Sequence, residues 1–220
     1  DDLTKQVEVR YLEFLRSLGN EWQNQVDKVN RWQSGVLRSQ AGFYDNYIRP
    51  HVAKGKRKAV VIVSDALRYE IAEELAERIQ AQDRFQTQLN ANLGMIPSFT
   101  PLGMAALLPH REITVSDDGR RVEVDGQSTA GTKARARVLE AVEGTAIQAE
   151  DVLAMDALEL RDFYREHKVI YVYHNRIDRA GEGDRGGSDV FDAAETAMNE
   201  LEELLRVWTN GNATNIWITA

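Results

Sequence analysis

The chain contains no cysteine. Disulfides and thiolate metal sites are therefore excluded, and the composition fits a reducing compartment. No apolar run approaches the ~20 residues that a membrane span needs, so the expectation is a cytoplasmic protein without membrane contact. Positive charge is the minority sign: 27 Lys and Arg stand against 35 Asp and Glu, for a formal charge of -8. That balance argues against a generally basic nucleic-acid surface, although a local basic groove stays open. No signal peptide opens the chain, and it has no internal repeat or low-complexity tract. No Gly-x-Gly-x-x-Gly follows the first apolar run, which removes the usual signal for dinucleotide binding. At 220 residues, the chain suffices for one large α/β domain, or for a domain with an appendage.

The first feature that is present is a run of branched apolar residues. Val60-Val61-Ile62-Val63 stops at Ser64-Asp65. A short unbroken run of this kind predicts a strand buried on both faces of a parallel sheet. Leu67, Ile71, Leu75 and Ile79 then recur at helical spacing, giving strand, tight turn, helix. Ligands of open α/β sheets bind outside the carboxyl ends of the strands, and Asp65 sits there. Val169-Ile170-Tyr171-Val172-Tyr173 predicts another buried strand and Ile216-Trp217-Ile218 a final one. The expected fold class is α/β, a mostly parallel sheet flanked by helices.

Residues 1–56 read as a helical lead-in and residues 57–220 as the core. Val7, Tyr11, Leu15 and Leu18 share one helical face. Gly19 is expected to end that helix, and Asn20 with Gln23 to cap a second one carrying Trp22, Val26, Val29, Trp32 and Val36. Packing against the following domain is the ordinary use of such a stripe. Residues 54–58 form a short basic linker. Residues 85–92 alternate apolar and polar, which predicts a half-buried strand near a sheet edge. Pro101 fits a first helical turn, making Thr100 the expected N-cap. Asp118-Gly119 signals a hairpin. Asp156 with Glu159 has the form of a capping box. Ser188 is expected to cap a long helix that turns Phe191, Ala194, Met198, Leu201 and Leu205 inward.

Three segments should deliver polar groups to one sheet edge. Asp65 follows the first strand, Ser98 and Thr100 precede a helix, and His174, Asp178, Glu182 and Asp184 follow Tyr173. Hydroxyl, carboxylates and imidazole are the inventory of a two-metal hydrolase, in which paired cations clamp the oxygens of a phosphate ester. A hydroxyl bound to one cation becomes a nucleophile, and a helix N-terminus adds N–H donors. Each piece also has a plainer use. Asp65 and Thr100 could be helix caps, His174 could hydrogen-bond its own loop, and the acidic loop could be solvated surface.

Four ordered motifs carry a resemblance. They are Val61-Ile62-Val63-Ser64-Asp65-Ala66-Leu67-Arg68-Tyr69-Glu70, Pro97-Ser98-Phe99-Thr100-Pro101-Leu102-Gly103-Met104, Asp125-Gly126-Gln127-Ser128-Thr129, and Tyr173-His174-Asn175-Arg176-Ile177-Asp178. Together they resemble the PglZ domain of BREX-type bacterial phage-defence systems, a family similar to the alkaline phosphatase superfamily. The resemblance runs from about Arg57 onward. It implies an alkaline-phosphatase-like core that hydrolyses phosphomonoesters or phosphodiesters. Thr100 is the implied nucleophile, with Ser98 the alternative. The implied metal ligands are Asp65, Thr100, Asp178 and Glu182, with Asp184 and His174 as alternatives. Glu182 stands where the superfamily usually has His, and the Asn that usually follows the nucleophile is not evident after Pro101. Two divalent ions are the implied cofactors, zinc or else manganese. In the superfamily the last strand runs into an Asp-His pair, and this sequence stops at Ala220. The expectation is thus a core incomplete at its C-terminus, holding metal poorly and nearly inactive by itself. Implied partners are other components of a phage-defence complex, with nucleic acid or nucleotide a candidate substrate. The alternative function is a non-catalytic interaction module retained on a hydrolase fold.

Overall fold

The computed structural model describes residues 2–55, 57–182 and 188–220. Two compact units are present, Asp1–Gly35 and Val36–Ala220. The first is dominated by one helix, α1 (Asp2–Val26). Gly19 does not end it, contrary to expectation. Nothing lies within 4 Å of the position a Cβ would take there, so Gly19 is an ordinary interior glycine. Its cost is about 1 kcal/mol relative to alanine, which a helix of this length absorbs. Asn20 therefore caps nothing, and the predicted second helix is replaced by turns and irregular chain after Val26. Trp22 and Trp32 still meet, edge to face, with ring centroids 5.9 Å apart. Val7, Tyr11, Leu18 and Trp22 are exposed.

The second unit is built on a four-stranded parallel sheet. Its strands are β1 (Ala59–Ser64), β2 (Gly144–Gln148), β3 (Val169–His174) and β4 (Ile216–Thr219), in the spatial order β2-β3-β1-β4. Val63 lies opposite both Tyr173 and Thr219, and Ser64 lies opposite His174. Every residue of β1 and β3 is buried. Successive side chains of a strand point to opposite faces, so an unbroken apolar run requires cover on both. One face carries Val61, Val63, Tyr171 and Tyr173. It packs on Phe43, Ile48 and Val52 and on two helices, α3 (Thr100–Ala106) and α4 (Gly131–Glu140). The other face carries Val60, Ile62, Ile170 and Val172. It packs on α2 (Tyr69–Gln80) and α6 (Ser188–Asn210), through Leu75, Ile79, Leu201, Leu204 and Trp208. Each such Val or Ile contributes roughly 1.5–3 kcal/mol on burial. Phe43, Ile48 and Val52 thus lie inside the core, within the stretch assigned from sequence to the helical lead-in.

The hairpin forms as expected. Ile113–Val115 pairs antiparallel with Val122–Val124, and Gln127–Ser128 adds a third short strand. The capping box is also present: the Asp156 carboxylate accepts from the Leu158 and Glu159 N–H groups, and that of Glu159 accepts from the Asp156 N–H. Residues 85–92 differ from expectation. Phe85, Thr87 and Leu89 are turned inward more than Gln86, Gln88 and Asn90, yet only Asn92–Leu93 pairs, parallel to Arg38–Ser39. Alternation decides which side chains turn inward, whereas a ladder needs an adjacent edge. A cleft lined by Gln88, Leu89, Ile216 and Ile218 separates this segment from β4.

Candidate active site

β1 ends at Ser64. The Asp65 N–H then donates to the His174 carbonyl at 2.8 Å, which fastens the turn to the end of β3. Ala66 follows in the left-handed region at φ 62°, and its N–H donates to Asp65 Oδ1 at 3.0 Å. A non-glycine residue in that region carries a cost of order 1 kcal/mol, met here by the bonds on either side. Helix α2 starts at Tyr69 with Arg68 in the N-cap position, so Asp65 is not its cap. The Asp65 carboxylate is half-buried at the carboxyl rim of the sheet.

Thr100 is the first residue of α3 rather than its N-cap, a correction of one position. Phe99 occupies the cap and supplies no side-chain bond. First-turn N–H groups lack intrahelical partners, so Pro101 fits the second helical position without loss. Thr100 is exposed, and its hydroxyl makes no hydrogen bond with any described residue. Ser98, just ahead of the helix, is exposed too. Gln40 fixes where this helix start lies. Its Nε2 donates to the Ala220 carbonyl at 3.1 Å, and its Oε1 accepts from the Met95 N–H at 3.2 Å. Nε2 is also 3.6 Å from where a Cβ of Gly103 would stand. The first turn of α3 is thereby held against the end of β4, the strand beside β1.

At the end of β3, His174 is buried at 4 % exposure. Nδ1 lies 2.9 Å from Ser64 Oγ and Nε2 lies 2.9 Å from Glu200 Oε2. Glu200 also accepts from Arg176 through both of its oxygens. Burial pushes the Glu200 carboxyl up, but the bonds from Arg176 and His174 outweigh it and hold it below its ordinary value. His174, named from sequence as an alternative metal ligand, has both ring nitrogens engaged. It links β1, β3 and α6 instead of presenting a free nitrogen.

Asp178 lies in the first turn of α5 (Arg176–Glu182) and is half-buried. With Ala66, Arg68 and Phe191 it lines a cavity of about 710 Å³, so it faces the turn that bears Asp65. Phe191, expected to point inward, is exposed at this open end, while Met198 and Leu201 further along α6 are buried as expected. Glu182 closes α5, and its side chain and the whole of Asp184 lie outside the described residues. Among the described residues no three His, Asp or Glu side chains gather as a metal-binding group. Asp65, Asp178 and the Thr100 hydroxyl are hard oxygen donors of a kind that suits zinc, manganese or magnesium, but two carboxylates fall short of a complete set.

The other face of the same rim holds residues that sequence reasoning missed. Helix α4 begins at Gly131, whose φ of 78° requires glycine's freedom. Ala130 in the cap position gives no side-chain bond. Arg135, half-buried one turn on, donates from Nε to the Thr129 carbonyl at 2.9 Å. Its guanidinium lies 4.5 Å from the centroid of the Tyr173 ring. Asn175 Oδ1 is buried without a hydrogen-bond partner among the described residues, and the buried Tyr173 hydroxyl has only the Arg135 guanidinium beside it, short of good hydrogen-bond geometry. Burial pushes the Tyr173 hydroxyl up to about 12, with nearby Arg135 pulling the other way. Thr132 Oγ1 accepts from Gln148 Nε2 at 2.6 Å, which pins the start of α4 to the end of β2. The only sequence signal here was the Asp125–Thr129 motif just ahead of α4, which named no side chain for chemistry.

Comparison with known proteins gives the family. Residues 43–220 match the family described as the BREX system PglZ alkaline phosphatase-like domain. The chain is 38% identical over 213 residues to the alkaline phosphatase-like protein BrxZ of Escherichia coli O9:H4 (strain HS), covering 94% of this chain and 25% of that protein. It is 35% identical over 212 residues to the alkaline phosphatase-like protein PglZ of Bacillus cereus (strain H3081.97), with the same coverage. The chain thus spans about a quarter of the length of these relatives. A parallel α/β core that matches this model over most of its length, together with these two relatives, establishes that the chain belongs to the PglZ family of BREX-system alkaline phosphatase-like domains.

Proposed function

We propose that the protein containing these residues is a metal-dependent phosphohydrolase acting in phage defence, with Thr100 as its nucleophile. One observation carries the reading: the turn bearing Asp65, the helix start bearing Thr100 and the helix bearing Asp178 all meet the carboxyl rim of one sheet. Membership of an alkaline phosphatase-like family supports it. Thr100 offers an exposed, unbonded hydroxyl at a helix start, where the first-turn N–H groups favour phosphoryl oxygens. Its oxygen attacks phosphorus, the ester alcohol departs, and water later cleaves the resulting threonyl phosphate. Two divalent cations, zinc or manganese, supply when bound the positive charge that lowers the hydroxyl's pKa and neutralises the phosphoryl oxygens. Asp65 and Asp178 would hold them, with Glu182 or Asp184 as further donors. Residues 1–220 alone hold metal weakly and turn over little. The substrate class is a phosphomonoester or phosphodiester, with nucleic acid or nucleotide the first candidates, and the partners are other components of the defence complex.

A second reading is an interaction module on a hydrolase fold. The exposed apolar stripe of α1 favours it. One assay on the longer protein separates the two. Thr100→Ala should lower aryl-phosphate or phosphodiester cleavage by on the order of 10³-fold or more, with bound metal unchanged. Equal cleavage by variant and parent removes the nucleophile assignment, and no cleavage by either supports the interaction module.

A further inference from the structure

We propose that the cleft between β4 and residues 85–92 takes a β-strand supplied by a segment of the longer protein outside residues 1–220. The inference does not depend on the phosphohydrolase reading.

The direction of the backbone groups on β4 comes first. Val60 lies opposite Ile216, and its N–H donates to the Asn215 carbonyl at 3.5 Å. Along a strand in a parallel ladder, residues bonded to one neighbour alternate with residues turned the other way. Trp217 and Thr219 therefore turn their N–H groups to β1, and Ile216 and Ile218 turn theirs to the cleft. The Ala220 carbonyl continues that outward set, where the Gln40 side chain meets it. Among the described residues, nothing bonds the outward backbone groups of Ile216 and Ile218, because β4 is an edge strand. Such an edge is a template for pairing with another strand.

The facing wall is the second observation. Residues 85–92 turn alternate side chains inward as a strand does, yet only Asn92–Leu93 pairs. The Thr87 N–H is taken by Gln80 Oε1 at 3.1 Å. Among the described residues, the backbone of Gln86, Gln88, Leu89 and Asn90 makes no hydrogen bond. Two walls with unpaired backbone groups thus border one cleft. An extended peptide is the ligand that offers N–H and C=O groups alternately to both.

The shape of the cleft fits such a strand. It opens into two cavities, of about 580 and 650 Å³, and both are lined by Gln88, Leu89, Ile216 and Ile218. The first reaches Leu75, Ile79 and Leu205 on one face of the sheet. The second reaches Phe43 and Trp217 on the other, together with Tyr47 and Asn92. Successive side chains of an inserted strand would enter the two cavities in turn. Those facing Leu75 and Ile79 should be apolar, and those facing Tyr47 and Asn92 can be polar. Leu75 and Ile79 are core residues, so the occupant extends the core, as suits a permanent part of the same polypeptide. The curated relatives carry about three quarters of their length outside the part matched by this chain, which covers 25% of each.

The test is residue-resolved hydrogen exchange on the longer protein. The Ile216 and Ile218 amides should exchange at least about 100-fold more slowly than in an unstructured peptide, at every protein concentration. Photo-leucine placed at Leu89 should cross-link to residues of the same polypeptide outside 1–220. Exchange of both amides at the unstructured rate overturns the proposal. So does protection that fades on dilution, or cross-linking that joins two chains, since either would assign the cleft to a second copy or a separate protein. Cross-links reaching only residues 1–220 also overturn it.

Discussion

Tyr173 and His174 are neighbours in the chain and opposites in their surroundings. His174 faces α6, where every polar atom of its cluster is matched: Ser64 on one nitrogen, Glu200 on the other, and Arg176 beyond. Tyr173 faces α4, where its hydroxyl has only the Arg135 guanidinium beside it and, among the described residues, no carboxylate pairs with Arg135. The same strand end therefore carries a closed network on one side and an open one on the other. Closed buried networks fix geometry. Here the network holds the ends of β1 and β3 together, and those ends launch the turns that bear Asp65 and Asp178. A looser network contributes less to stability.

Substitutions can break this contrast in graded steps. His174→Ala should have the largest effect on stability. It leaves Ser64 Oγ and Glu200 without their shared partner and opens a cavity, for a loss of about 3 kcal/mol in chemical denaturation. Glu200→Gln should cost less, about 1–2 kcal/mol at neutral pH, and its cost should depend on pH. The Glu200 carboxyl is held below its ordinary value of 4.5 in the folded chain. Its contribution is then fully present above that value and fades as pH falls through the depressed folded one. The gap in stability between parent and Glu200→Gln should therefore shrink below pH 4.5. A gap that stays constant or widens in acid would show that the carboxylate adds nothing to stability. Arg135→Met should have the smallest effect, about 1 kcal/mol, since it removes one hydrogen bond to the Thr129 carbonyl and the contact with the Tyr173 ring but no carboxylate pair seen among the described residues. A loss as large as that of His174→Ala would mean that the two networks are alike.

The sequence revealed what depends on local pattern. The run from Val60 to Val63 identified a doubly covered strand because period-two sterics leave no other use for it. Asp156 with Glu159 marked a helix start because its two bonds span only three residues. Gly19 misled, because glycine marks a helix end only when the chain leaves the helix there, and here the helix continues. Residues 85–92 misled because alternation sets facing but not pairing. Thr100 was placed one position out because Pro101 fits more than one first-turn site. His174 was read as a possible ligand, and its bond to Glu200 spans 26 residues that no periodicity connects. Arg135 went unnoticed for the same reason, since its meaning comes from a tyrosine 38 positions away. Asp65 and Asp178 were legible as strand-end acids, but the cavity that Asp178 lines beside the turn after Asp65 is a property of the assembled sheet.

The most direct measurement is acid quench of the longer protein during turnover of an aryl phosphate, followed by peptide mapping of any phosphoryl group left on the chain. The account predicts phosphate on Thr100, retained at that position in Thr100→Ser and lost in Thr100→Ala together with turnover. Sustained turnover with phosphate on another residue, or with Thr100 never modified under conditions that trap the intermediate, would contradict it.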